Sequence, residues 1–402
     1  MTDHAFYTLS ITTAAALLAY IILWSGLQTF NANPTKRFLR IWSKLTLYYA
    51  AYTMPVWALL LVIGRAQEVT PLLAQLSPSV VLMATIAMGL YFYTVVVQPN
   101  CLRVQHHAVD LDLSAPLTVA VLADLRIGLY SGKPRHIRKL VATINALSAD
   151  AVLITGDWLY YPSADLVGQL MLFKGVNKPV YTVMSTSDLR YQSINTTKQG
   201  QPLLKDTLAS AFDVLDINYI GQQCTSLPLK CAQTGNGRLR VSQTSSIKGH
   251  PNTRTQTNPK DNPVVAVLCG WQDVPKQSSD AKTLQVPSKV ALSAEIEQAT
   301  KPVIILASRF DSISDLPKSL QPRPLLITGA AKAIQKNILK AQKKQDIRRI
   351  DNQSSLLDSS RMGKQRGLYQ HGSAQIFVSS GVGTRGLPFR LYRPTIDVLT
   401  IR

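Results

Sequence analysis

The stretch "TVAVLADLRIGLYSG", residues 118–132, runs as an apolar strand into a polar loop at Asp124. "DAVLITGDW" repeats the pattern and ends near Asp157, and "PVYTVMSTSD" repeats it again and ends at Asp188. Carboxylates delivered at the C-terminal ends of buried strands are how α/β folds build metal and phosphate sites. A metal site needs another ligand close to the first aspartate. The residue two positions on is Arg126, a fixed cation with no lone pair to give. None of the six histidines (4, 106, 107, 136, 250 and 371) falls at an expected strand end, and His106–His107 reads as exposed linker. The chain therefore carries the acids of metal chemistry with a cation set among them.

The elements that must position these groups follow from periodicity. From about residue 117, "LTVAVLAD", "DAVLITGD" and "PVYTVMSTSD" read as strands, separated by the helical patterns "PRHIRKLVATINAL" and "ADLVGQLMLFKGV". Two consecutive strand–helix–strand units predict a mainly parallel sheet with helices on its faces. "PVVAVLCGW", "KPVIILAS", "RPLLITGA", "AQIFVSSGVG" and "TIDVLTIR" read as further strands. Residues 233–262 are polar and turn-rich, which predicts a mobile loop. Residues 332–350 carry seven basic residues and one acid at helical spacing. They predict a basic helix whose Lys336, Lys340, Lys343, Lys344, Arg348 and Arg349 either face water or lie on anionic lipid.

Before residue 100, the stretches 5–27, 45–64 and 79–97 lack charged residues, and each is about 20 residues long, enough to cross a bilayer core. They predict a membrane domain over 1–100, a linker over 101–116 and a soluble domain over 117–402. Lys36, Arg37, Arg40 and Lys44 follow the first stretch with no acid, whereas Arg65 in the second loop is balanced by Glu68. The positive-inside rule then places the soluble domain in the cytoplasm. The net charge of +20 arrives without zinc-finger, RNA-binding or helix-turn-helix cues, which argues against nucleic acid as the partner. Cysteines 101, 224, 231 and 269 show no metal-binding spacing and read as free thiols; Cys224 with Cys231 is a hairpin disulfide only on an oxidising side.

In order and spacing, these blocks resemble the calcineurin-like metallophosphoesterases, in particular their membrane-anchored bacterial members. "LADLRIG" stands where that family has a DLHIG-like block, and "INALSADAVLITGDWLY" is similar to its iNxLxPDxVxxTGDxxD. "PVYTVMSTSD" replaces a strand ending in GNHD. "ILASRFD" and "LLITGAAKA" replace LxHxPD and LxLSGHTHGG, and "VSSGVGTRGLPFRLYRPTIDVLTIR" looks like the closing segment. The resemblance covers about 117–402. It implies an α/β sandwich of two mixed β-sheets flanked by helices behind N-terminal transmembrane helices, in a multi-pass protein of the bacterial inner membrane.

It also implies what has changed. In the family two ions about 3.5–4 Å apart clamp a phosphate and supply the attacking hydroxide. Asp124 and Asp157 match two ligand positions. The remaining positions hold Arg126, Thr186, Ser308, Ala330 and Lys332; Ser187 replaces a histidine, Tyr160 an aspartate, and Asp188 is kept. The resemblance then implies a pseudoenzyme with no cofactor, in which Arg126 and Lys332 stand in for the ions among Asp124, Asp157 and Asp188. Three functions stand open. The first is a membrane-tethered binding or scaffold module, whose partners would be a phosphate-bearing ligand or anionic lipid head groups. The second is an active phosphoesterase on a phosphodiester, nucleotide or lipid-linked phosphate, using Mn, Fe or Zn. The third is a lipid-surface sensor built on 332–350. Gly156, Gly329 and Gly381 are expected in tight turns, Trp158 and Tyr160 packed over the site, and Arg385, Arg390 and Arg393 at the surface.

Overall fold

A computed structural model describes residues 3–31, 38–64, 78–128, 134–162, 165–189, 207–228, 264–271, 299, 301–308, 324–329, 348–349, 366–371, 374–383 and 393–402. All three apolar stretches are helical. They are α1 (Asp3–Asn31), α2 (Phe38–Gly64) and α3 (Pro78–Phe92), the last continued by a π-helical turn at Tyr93–Val97. Among the described residues one segment, Ile11–Phe30, has both the length and the hydropathy of a membrane span, and it lies mostly at the surface. The helices are joined by polar contacts. Ser25 and Thr46 share a hydrogen bond of 2.8 Å, Tyr49 donates to Gln28 at 2.8 Å, and Tyr91 donates to the Ala51 carbonyl at 2.7 Å.

The rest is mixed α/β. Strands β1 (Arg103–Val109), β2 (Leu117–Leu122), β4 (Ala151–Ile154), β6 (Val180–Thr182), β7 (Ile217–Tyr219) and β15 (Thr395–Ile401) form a six-stranded sheet in the order β1-β15-β2-β4-β6-β7. A seven-stranded sheet joins β8 (Cys224–Pro228), β9 (Val264–Trp271), β10 (Val303–Ala307), β11 (Leu325–Gly329), β12 (Arg348–Arg349), β13 (Gly367–His371) and β14 (Ala374–Ser379) in the order β12-β13-β14-β11-β10-β9-β8. A two-stranded ribbon pairs β3 (Ile127–Gly128) with β5 (Leu159–Tyr160).

Both sheets are buried on two faces, which is why their strands read as continuous apolar runs. Val119, Val121, Leu153 and Tyr181 of the first sheet meet Leu268, Ile304, Leu306 and Ile327 of the second in one core. Ala120, Leu122, Val152 and Ile154 point the other way, onto helices α4 (Pro134–Ala146), α5 (Leu166–Leu170) and α6 (Leu208–Val214).

Three expectations change. Residues read as linker form β1, whose seven residues pair in parallel with β15. His107 is consequently interior: its Nε2 lies 3.4 Å from Asp397 Oδ1 and its ring meets Phe377 edge-on. Cys224 and Cys269 face each other across β8 and β9 and form a disulfide, so the free-thiol reading holds for Cys101 alone among the described cysteines. Arg348 and Arg349 lie in a strand opposite Gln370 and Tyr369, not in a helix. The backbone registers there because residues 348–349 extend the sheet by one edge strand.

Candidate functional site

The ends of β2, β4, β6, β10 and β11 meet at one rim of the sandwich. Parallel strands in register deliver their following loops side by side, which brings Asp124, Asp157 and Ser185–Asp188 together. The second sheet closes on them. A Cβ added to Gly156 would sit 3.1 Å from the Ser185 nitrogen and 3.2 Å from Ser308 Cβ. One added to Gly329 would sit 3.1 Å from Ala123 Cβ and 3.7 Å from Asp124 Oδ1. The loop after β14 straps this rim, with Val382 N donating to Ala123 O at 2.9 Å and Gly383 N to Asp124 O at 2.8 Å.

Arg126 is at the centre. Its Nη2 lies 2.9 Å from Asp124 Oδ1 and 3.6 Å from Asp157 Oδ2. Its backbone nitrogen donates to Asp157 O at 2.8 Å, so loop and guanidinium are fixed to the same partner. The other oxygen of Asp157 accepts from the Ser187 hydroxyl at 2.6 Å. Asp124, Arg126 and Asp157 all have left-handed backbone, with φ of 55°, 49° and 52°. Each such non-glycine residue costs on the order of 1–3 kcal/mol and persists only where its surroundings enforce it.

Asp188 is fully buried behind this group. Its Oδ1 accepts from Leu159 N at 2.9 Å, and its Oδ2 accepts from the nitrogen and the hydroxyl of Ser185, both at 2.9 Å. Burial first, and the neighbouring Asp157 carboxylate second, push its pKa up to about 7, while the three donated hydrogen bonds pull the other way. The hydroxyls of Thr186 and Ser308 are buried and have no hydrogen-bond partner among the described residues. Buried polar atoms are nearly always paired, so these two mark unused bonding capacity in the site.

Asp124, Arg126, Asp157, Thr186, Asp188 and Ser308, singled out from sequence, thus gather at one rim. Ala330 and Lys332 lie outside the described residues, as do Lys336, Lys340, Lys343 and Lys344 and the 233–262 loop. Trp158 packs away from the rim, donating to Thr182 Oγ1 at 2.7 Å and meeting Phe173 edge-on and Phe212 at a tilt. Tyr160 turns with Tyr161 toward Leu45 and Tyr48 of α2. Sequence reasoning did not find Ser185 as the holder of Asp188, nor that α2 touches this domain. "LYYAAY", three tyrosines inside an apolar stretch, was the available signal for the latter.

No family model matches the chain, and no curated protein matches it. The residues at the rim do not fit a binuclear metal centre. A guanidinium occupies the side of both carboxylates where an ion would bind, and the neighbouring hydroxyls are weak neutral donors. Among the described residues no three His, Cys, Asp or Glu are placed to hold an ion together.

Proposed function

We propose that the chain is a membrane-anchored, non-catalytic binding module built on a degenerate metallophosphoesterase-like sandwich. The observation that carries this reading is Arg126 bridging Asp124 and Asp157. Two facing carboxylates repel and need a counter-charge, and a covalently attached guanidinium supplies it permanently. The hydroxyls of Thr186 and Ser308, which meet no hydrogen-bond partner among the described residues, support a binding role for the rim beyond a structural one. Phosphate is a poorer ligand than the isolated arginine suggests, because the guanidinium is already engaged by two carboxylates with a third behind them.

The membrane anchor is supported by where the exposed large apolar side chains fall. All but Met171 and Val214 of them among the described residues belong to the three N-terminal helices or, for Tyr93, to the π-helical turn that continues α3, with Leu23, Leu39 and Met83 at 70% exposure or more. An aqueous surface does not sustain such a patch. On the facing of the domain two signals conflict. The basic residues around the first loop favour the cytoplasm, whereas the Cys224–Cys269 disulfide favours an oxidising compartment. The disulfide is given the greater weight because it is a covalent feature of the domain itself, whereas the basic residues lie beside the first apolar helix. Contact of the 332–350 basic residues with anionic lipid remains part of the proposal.

The test is elemental analysis for Mn, Fe and Zn on the full chain in detergent, with hydrolysis of a generic phosphodiester in added Mn. Metal far below one ion per chain and no turnover are expected. Near-stoichiometric metal with turnover would replace this reading by an active phosphoesterase.

A further inference from the structure

The structure assigns to the junction between α2 and the sandwich a binding site for one acyl chain of an anionic membrane phospholipid. A cavity of about 340 Å³ lies there, within the range of about 300–1,000 Å³ typical of small-molecule sites. One wall is the tyrosine face of α2, formed by Tyr48, Tyr49 and Tyr52 with Thr53. The opposite wall is the apolar face of α4, Ile137 and Leu140, with Phe173 below it and Val382 of the rim strap beside it. The floor is Leu125 and Ile127, the two neighbours of Arg126.

Apart from the tyrosine and threonine hydroxyls of the α2 wall, the polar side chains Asn100, His136 and Lys139 gather at one lip. His136 pairs with the Asn100 side chain, and Lys139 Nζ donates to the Asn100 carbonyl at 3.0 Å. Around them the first six residues of α4 carry Arg135, His136, Arg138 and Lys139 with no acid, and all four are exposed. Cations at a helix N-terminus oppose the macrodipole, and an anion placed there satisfies both. An apolar chamber with a cationic lip is complementary to an amphiphile with an anionic head. A bilayer lipid is the source within reach, because the same wall continues into the apolar helices. A phosphatidylglycerol chain would lie between Tyr52 and Leu140 with its phosphate at His136 and Lys139.

This inference rests on the membrane-anchored reading but not on the state of the Arg126 site. The test is native mass spectrometry of the full chain purified in detergent, titrated with phosphatidylglycerol, phosphatidylcholine and free oleate. One phosphatidylglycerol per chain is expected, bound about tenfold tighter than phosphatidylcholine. Thr53→Trp, which fills the chamber from α2, and Val382→Phe, which narrows it from the strap, should each weaken binding about tenfold with unchanged melting. The His136→Glu, Lys139→Glu pair, both on the lip of the chamber, should erase the preference between the two lipids. Equal binding by wild type and both filling variants would overturn the assignment, and so would free oleate binding as tightly as phosphatidylglycerol. A chain recovered in the soluble fraction of lysed cells would defeat the anchored reading itself, whereas a membrane-bound chain that takes up no lipid defeats only the site.

Discussion

Replacing Arg126 by alanine removes the guanidinium that bridges Asp124 and Asp157. At about 4 Å between charge centres and an effective dielectric constant of about 20, each attraction is worth roughly 4 kcal/mol before desolvation. Removing one partner of a buried pair is found to cost about 3–5 kcal/mol. The three side chains retain 11%, 8% and 13% of their exposure, so some screening remains. We therefore expect a loss of about 2–3 kcal/mol near neutral pH. For a domain of this size that lowers the melting temperature by roughly 5–10 °C, read by intrinsic tryptophan fluorescence in detergent. Trp158 is a suitable reporter because it is buried in the same sandwich. Adding Asp124→Asn to the variant removes one of the stranded charges and should recover at least about 1 kcal/mol, since touching residues do not contribute additively. Should Arg126→Ala be too unstable to purify, Arg126→Lys keeps the charge, loses the planar fork and should fall between. A variant melting within about 1 °C of wild type, or no recovery with Asp124→Asn, would refute the counter-charge argument.

Asp188 makes stability fall as pH rises. Its pKa is raised to about 7 in the folded chain, so between about 4 and 7 the native state holds a proton that the unfolded chain has released, and raising pH favours unfolding. The contribution is fully present below the unfolded pKa and gone above about 7; Asp188→Asn should flatten this window while costing stability at low pH, where its amide meets the donors of Leu159 and Ser185. Gly381→Ala should cost about 2 kcal/mol or more in the same melts, because its φ is +79° and the new Cβ would lie 2.9 Å from Asp124 Cβ. Alkylation of unreduced chain in intact cells should label Cys101 and spare Cys224 and Cys269; labelling of all three restores the cytoplasmic placement. Arg126→His should gain measurable Mn or Zn affinity by calorimetry, since it replaces the obstructing cation with a ligand between two carboxylates.

Much of the sandwich was legible because its strands are buried on both faces and so read as unbroken apolar runs bounded by polar residues. β2, β4, β9, β10, β11 and β15 fall within segments read as strands. β1 escaped because it is an edge strand: "RVQHHAV" has two histidines and a mixed burial pattern, and its fit depends on pairing with β15 almost 300 residues later. The same limit hid the Cys224–Cys269 bond. A pairing across 45 residues is set by the register of β8 on β9, and spacing along the chain carries no trace of it. At the rim, the aspartates, Arg126 among them and Ser187 in place of a histidine were visible as strand-end residues, but the hydroxyl contacts were not. Ser185 carried no reading until the fold turns it onto Asp188, and Ser187 is turned onto Asp157.

The contact of α2 with the rim joins the two halves of the reading. Leu45 and Tyr48 are buried, and the side chains that pack on them include Tyr160 and Tyr161, three and four residues past Asp157. Tyr161 is itself left-handed, with φ of 54°. A Cβ on Gly128 would strike the Tyr160 carbonyl at 2.1 Å, so β3 and β5 approach as closely as backbone allows. The loop carrying Arg126 is thus clamped by β5 on one side and by the Gly381–Gly383 strap on the other. Strain at Asp124, Arg126 and Asp157 is held by that clamp, and one jaw of it leans on α2. Any displacement of α2 then acts on the loop through Tyr160 rather than through solvent. Filling the α2 chamber with a lipid chain should therefore stiffen the Arg126 loop. Hydrogen exchange at the Arg126 and Ile127 amides, both bonded to the 157–158 backbone, should slow on adding phosphatidylglycerol and stay unchanged in Thr53→Trp. Equal slowing in that variant would separate the rim from the helix and leave the clamp a static support.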